Sequence, residues 1–360
     1  MNIKLNQPIT PDLKKLSSYL KQVNDNGWYT NFGPLHKLLT QRLEAYLGVE
    51  NLLLVSNGTL ALQVAYKTLD VKNALTTPFS FVATASSLIW QDIETSFSDI
   101  DSESYNLCPE KAQRVLDENS DIDTIVATHV YGNPCDVTAF DKLAEKNKIK
   151  IIYDAAHAFG VNVGERSVLS FGDASTLSFH ATKVFHTVEG GAIVFKNRSD
   201  FERAKRLVNF GMDEDGNILD VGINAKLNEY QCAVGLTVLD GIEKVIKHRE
   251  NMFKLYQNEL EGYVKLPKWH TQATLTGAYM PVVIEDTLTS EKVVDRLKES
   301  GIQSRRYFSP SLDLAFKNQT SYGCDLSQKS AKEVICLPLH YYISTEDVYI
   351  VTRLIKEALK

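Results

Sequence analysis

Apolar residues in this chain fall into two alternating rhythms. Asn51-Leu52-Leu53-Leu54-Val55, the stretch opening at Leu75, Thr124 to Gly132 with its crevice loop, Ile149 to Tyr153, Ala174 to Phe179 and Ala192 to Phe195 are short apolar or alternating runs that read as strands. Between them apolar positions recur at three and four, as around Phe140, Leu143 and Ala144, the spacing of one helix face. Strand followed by helix from residue 51 to 200 predicts a mainly parallel sheet covered on both faces.

Ahead of that block, Asp12 to about Asn24 and Leu35 to Leu47 carry helical spacing, the second stopped by Gly48. An aromatic loop from Asn26 to Pro34 joins them and reads equally well as a site wall or as a packed connector. Beyond the block, Ser199 to about Asn209 predicts a charged helix, and Asn228 to Leu260 a long one broken near Asp240-Gly241. The remainder changes character, with a strand around Ala278 to Ile284, a helix N-capped by Ser290, and a final helix opened by the capping-box-like Ser344-Thr345-Glu346-Asp347. Two domains are expected, residues 1–245 and a smaller α+β unit over 246–360.

Composition narrows the function. A net charge of −6 without a basic stripe disfavours a nucleic-acid partner or an anionic membrane surface. The N-terminal residues lack the apolar centre of a signal peptide and no run approaches spanning length, so the cytoplasm is expected. The five cysteines form no CxxC pair and the eight histidines no HxxxH, so no metal is assigned.

Two residues carry the candidate chemistry. Lys183 lies between two apolar strands, on an interior turn where loss of water favours the neutral amine, which can attack an aldehyde to form a Schiff base. Asp154 ends the strand Ile149 to Tyr153, at the edge where open α/β sheets bind ligands. A helix N-cap is the plain account of that aspartate alone, and a solvated lysine the plain account of Lys183 alone. Together they fit a pyridoxal phosphate site, in which a carboxylate keeps the ring nitrogen protonated. Ser56-Asn57-Gly58-Thr59, right after a strand, suits an anion cradle at a helix start, although Ser and Thr are also common N-caps. Phe81 could stack on a flat ring, with core packing an equal alternative.

Seven segments then occur in register: Gly33-Pro34, Ser56 to Thr59, Thr77 to Thr84, Asp154-Ala155-Ala156-His157-Ala158, Ser178 to Lys183, Glu189-Gly190-Gly191 and Gly222-Ile223-Asn224. In that order they resemble the DegT/DnrJ/EryC1/StrS family of sugar aminotransferases across nearly the whole chain. The resemblance implies a fold-type I pyridoxal 5′-phosphate (PLP) enzyme of the α/β class. Its large domain would hold a mainly parallel, mixed seven-stranded sheet between helices, and the enzyme would be a homodimer with shared active sites. It implies Lys183 as the cofactor lysine, Asp154 as the pyridinium partner, and Gly58, Thr59 and Ser178 as phosphate ligands. Asn224 would reach the neighbouring subunit's phosphate, and Phe81 would cover the ring. His157 stands where the family commonly has glutamine, Val188 replaces a common glycine, and Lys226 takes a frequent arginine position. A histidine at the lysine position marks the family's dehydratases, and Lys183 argues against that subgroup.

The implied reaction is amination of C4 of a dTDP-linked 4-keto-6-deoxyhexose by L-glutamate, for a surface polysaccharide such as O-antigen. Lys226, Arg305 and Arg306 are weak candidates for the nucleotide diphosphate. A 3-amino transferase is the runner-up. A non-catalytic cofactor-binding regulator would not need both Lys183 and Asp154. An NAD-dependent oxidoreductase would want a GxGxxG after its first strand, which Ser56 to Thr59 does not supply.

Overall fold

The computed structural model describes residues 2–360. Helices α1 (Leu13–Asn26) and α2 (Pro34–Leu47) lead into β1 (Leu52–Val55), α3 (Gly58–Thr68), β2 (Asn73–Thr76), α4 (Val82–Trp90) and β3 (Glu94–Phe97). The alternation continues through α5 (Pro109–Glu118), β4 (Thr124–Thr128), α6 (Val137–Asn147) and β5 (Lys150–Asp154). A small hairpin, β6 (Asn162–Val163) and β7 (Arg166–Ser167), precedes β8 (Ala174–Ser178) and β9 (Gly191–Phe195), followed by α7 (Arg198–Leu207), α8 (Glu229–Leu239) and α9 (Ile242–Leu260). The C-terminal part comprises β10 (Met280–Val283), α10 (Thr287–Glu299), α11 (Leu312–Ala315), β11 (Thr320–Ser321), α12 (Asp325–Glu333), β12 (Val334–Leu337) and α13 (Thr345–Ala358).

The main sheet runs β1-β9-β8-β5-β4-β2-β3-β11. Only β9 opposes its neighbours, so β1, β2, β4, β5 and β8 all end at one edge. Seven of these strands match the expected sheet; the eighth is the two-residue β11, delivered from the C-terminal part to pair beside β3. Side chains alternate between two cores. Leu52, Leu54, Ile125, Ile151 and Tyr153 face one helical layer, while Leu53, Val55, Val126 and Ile152 face the other. Burial on both faces is why these strands read as continuous apolar runs.

Helix α9 changes allegiance along its length, with Ile242 and Val245 in the first core and Met252, Phe253 and Tyr256 packed with β10, β12 and α13 in a third. Two expectations are corrected here. The cap of α10 is Asp286, whose carboxylate accepts from the Thr289 N–H at 2.7 Å, whereas Ser290 lies buried inside the helix. A carboxylate at the helix start accepts an orphan N–H with the added benefit of its charge. Strand β10 begins at Met280 rather than Ala278, because the carbonyls of Gly277 and Ala278 accept from the buried Arg249 guanidinium at 2.8 and 2.9 Å.

The C-terminal part is tied against the sheet edge. Asp99, just past β3, accepts from Leu326 N, Ser327 N and Ser327 Oγ at 3.1, 2.9 and 2.6 Å, at the start of α12. Phe308 packs parallel to Tyr131 with ring centres 5.8 Å apart, and the Tyr131 hydroxyl donates to the Tyr307 carbonyl. These contacts hold the segment around residue 307 over the ends of β4 and β5.

Candidate active site

A cavity of about 360 Å³ opens at the edge where the parallel strands end. It brings together Gly58, Thr59, Phe81, Asp154, His157, Ser178 and Lys183; Asn224 lies outside it, in an antiparallel bridge with Asn209.

Asp154 is the last residue of β5 and is buried. Its Oδ2 accepts from Thr84 Oγ1 at 2.7 Å and its Oδ1 from the Ala156 N–H at 3.1 Å. Thr84 continues into a buried hydroxyl chain, 2.7 Å to Ser80 Oγ and from there 2.9 Å to Thr128 Oγ1. Burial pushes the Asp154 carboxyl above its usual range, against the opposing effects of Thr84, the Ala156 N–H and Lys183. A carboxylate so placed gains most from a cationic N–H in front of it.

Lys183 follows β8 on a tight turn whose backbone N–H returns to the His180 carbonyl at 2.9 Å. Burial lowers its amine from 10.5 to about 8, with Asp154 pulling the other way. Near neutrality roughly a tenth of it is therefore uncharged and nucleophilic, against a negligible share for an ordinary lysine. Its Nζ lies 3.5 Å from the Tyr279 hydroxyl, the phenol contributed just ahead of β10.

At the start of α3 the Asn57 side chain caps the Leu60 N–H at 2.8 Å, and Gly58 and Thr59, whose first-turn N–H groups have no intrahelical acceptors, line the cavity. A Cβ on Gly58 would stand 2.9 Å from the Ser178 Cβ, so glycine is what lets the helix start and the end of β8 come together. Gly191, where β9 begins, meets the same constraint, since a Cβ there would lie 2.7 Å from the Asn57 carbonyl.

Phe81, the residue before α4, keeps 48% of its surface exposed although it is a large apolar ring at the cavity wall. His157 is buried, stacked on Phe308 with ring centres 5.7 Å apart and edge-on to Tyr279 at 4.8 Å. Burial, reinforced by Lys183 and His129, holds its imidazole well below its usual pKa and therefore neutral. Its Nδ1 has no hydrogen-bond partner. The set fits a flat phosphorylated heterocycle: free first-turn N–H groups at a helix start, an uncovered aromatic ring, a buried carboxylate awaiting a cation, an unsatisfied imidazole and a neutralisable amine.

Among the three basic candidates, Arg305 lines the cavity, while Arg306 turns away to Ser290 Oγ and the Lys332 carbonyl and Lys226 bonds to Asn209 Oδ1. Tyr279, Tyr307, Phe308 and Thr84 were not singled out by reasoning from the sequence. Thr84 had a signal, since Ser80 and Thr84 stand four apart beside a strand end, but the three aromatic residues stand far from both Asp154 and Lys183 in the chain.

Residues 12–356 match the DegT/DnrJ/EryC1/StrS aminotransferase family. A dTDP-4-amino-4,6-dideoxy-D-glucose transaminase from Shigella dysenteriae is 37% identical over 98% of this chain and 97% of its own length. Another of the same name from Escherichia coli is 32% identical over 98% of each. The crystal structure of DesI in the presence of its TDP-sugar product superposes with a TM-score of 0.93 at 29% identity, covering 99% of this chain and 93% of that one.

Proposed function

We propose, from the premise that this chain belongs to the DegT/DnrJ/EryC1/StrS aminotransferase family, that it transfers the amino group of L-glutamate to C4 of dTDP-4-keto-6-deoxy-D-glucose with pyridoxal 5′-phosphate as cofactor. The products are dTDP-4-amino-4,6-dideoxy-D-glucose and 2-oxoglutarate, the former a building block for a surface polysaccharide. The observation that carries the reading is the convergence of the Lys183 amine and the Asp154 carboxylate on one cavity, beside a helix start able to hold a phosphate.

Pyridoxal phosphate, when bound, carries the amino group between substrates and withdraws electrons from the carbon next to the transferred nitrogen, making its hydrogen acidic. Gly58 and Thr59 N–H groups and the Ser178 hydroxyl would hold its phosphate. Asp154, braced by Thr84 and Ala156, would keep the ring nitrogen protonated. Phe81 would lie against the cofactor ring, and neutral His157 would offer an N–H to its phenolic oxygen. Lys183 Nζ takes the proton from the donor's Cα in the first half-reaction and delivers one to the sugar's C4 in the second, one base serving both carbons. The kinetics follow a ping-pong pattern.

We further propose a homodimer in which Asn224 completes the partner's phosphate site. In support, Asn224 sits on a segment that exposes Ile218, Leu219 and Val221 by 78, 61 and 81%, an apolar surface suited to a second subunit. Incubation with L-glutamate and dTDP-linked 4-keto and 3-keto 6-deoxyhexoses, followed by NMR of the product, tests the assignment. A new C–N bond at C4 with gluco configuration is expected. Amination at C3 alone, or no turnover with any keto sugar, overturns it.

A further inference from the structure

We infer that Arg305 is the site's donor-selecting residue, binding a carboxylate of the dicarboxylic amino donor and not the nucleotide. This inference rests on the transaminase reading above and deepens it. The Arg305 guanidinium lies 4.8 Å over the Tyr307 ring; Tyr307 meets Tyr279 edge-on at 5.4 Å, and Lys183 Nζ stands 5.9 Å from the centre of the Tyr279 ring. Two phenols thus connect the guanidinium to the amine that does the chemistry.

Among the described residues no acidic side chain pairs with Arg305. The one acidic group on the cavity wall besides Asp154 is Glu189, which faces His180 at 3.7 Å. An aromatic face under a guanidinium orients its fork of N–H donors without consuming them, leaving a planar site for a planar anion.

Size separates the two anions. The cavity of about 360 Å³ is at the small end for ligand pockets, which run from roughly 300 to 1,000 Å³. A cofactor ring with a five-carbon amino acid suits that space. A nucleotide-linked sugar must extend through the mouth, with the whole hexose ring between its reacting carbon and its diphosphate.

Ping-pong kinetics allow a clean test, because kcat/KM for each substrate reports its own half-reaction. In Arg305→Gln, kcat/KM for glutamate should fall roughly 10- to 100-fold, the usual worth of a charge-assisted bond. The value for the sugar nucleotide should stay within about twofold of the parent enzyme, and Arg305→Lys should recover part of the loss. Calorimetric titration of the cofactor-loaded protein with glutarate, which lacks the amino group and cannot react, should show weakening by a similar factor. Selective loss of sugar-nucleotide efficiency would assign the guanidinium to the diphosphate and overturn the inference. Equal loss in both halves, or none in either, overturns it too. If the parent enzyme itself fails to turn over glutamate with any keto sugar, it is the transaminase reading that falls, and glutarate binding then judges Arg305 alone.

Discussion

The two walls of the cavity are built differently. One consists of strand ends and a helix start from the main sheet: Asp154 closing β5, Ser178 closing β8 with Lys183 on the following turn, and Gly58 opening α3. The ladders on both sides of β5 and β8 fix these positions. The other wall, Tyr279, Arg305, Tyr307 and Phe308, arrives from the C-terminal part and is held by aromatic packing and by the Asp99 bonds to α12. Rigid strand ends suit chemistry common to both half-reactions, whereas a wall from a separately packed unit can vary to suit the substrate. Substitutions on the first wall should therefore damage both half-reactions alike, and those on the second should unbalance them.

The largest effect is expected from Lys183→Ala, which should lower both half-reactions by about 10²- to 10⁴-fold, the range for a lost general base, as read in single-turnover absorbance. A smaller loss there than in any C-terminal substitution would abolish the contrast between the walls. Asp154→Asn comes next, because it removes the charge that stabilises a protonated ring. Single-turnover rates should fall roughly 100-fold with both substrates, and Thr84→Val, which strips one bond from that carboxylate, should cost about tenfold.

Gly58→Ala should weaken cofactor retention about tenfold, measured by equilibrium dialysis, because its methyl group would force α3 away from Ser178. Tyr279→Phe is the exception on the opposite wall, because it acts through the amine that serves both half-reactions: it should lower both alike and only mildly, about threefold in kcat, as Lys183 loses a 3.5 Å partner but keeps its enclosure.

Acidity gives a prediction without substrate. Folding lowers the Lys183 pKa from 10.5 to about 8, so capture of free pyridoxal by the cofactor-free chain should accelerate as pH rises and level off above about 8. Between those two values the unfolded chain binds more protons than the folded one, so this group's contribution to stability grows as pH increases across that window. A capture rate still climbing at pH 10 would place the amine in ordinary solvent.

How legible each wall was follows from the same difference. Asp154, Gly58 and Lys183 each stand within a few residues of a strand end, and a strand buried on both faces announces itself as an apolar run. Position at the productive edge was thus readable once the alternation of strands and helices was seen. Phe81 was an even choice between stacking and core packing until the company of those motifs decided it, His157 was readable only through that company, and the neutral state of His157 needed its burial between Phe308 and Tyr279. Nothing local distinguishes Arg305 from Arg306, adjacent and identical in chemistry. One faces the cavity and the other spends its donors on Ser290 and the Lys332 carbonyl.

By itself the order of residues determined the alternating sheet, the edge at which ligands meet it, and the amine and carboxylate that share that edge, because period and punctuation are properties of neighbours along a chain. Only the tertiary structure decided the eighth strand, the Thr84 brace and the aromatic wall. Each of these depends on groups brought together by packing from distant parts of the chain, and no local pattern encodes which of two equivalent side chains the packing will turn inward.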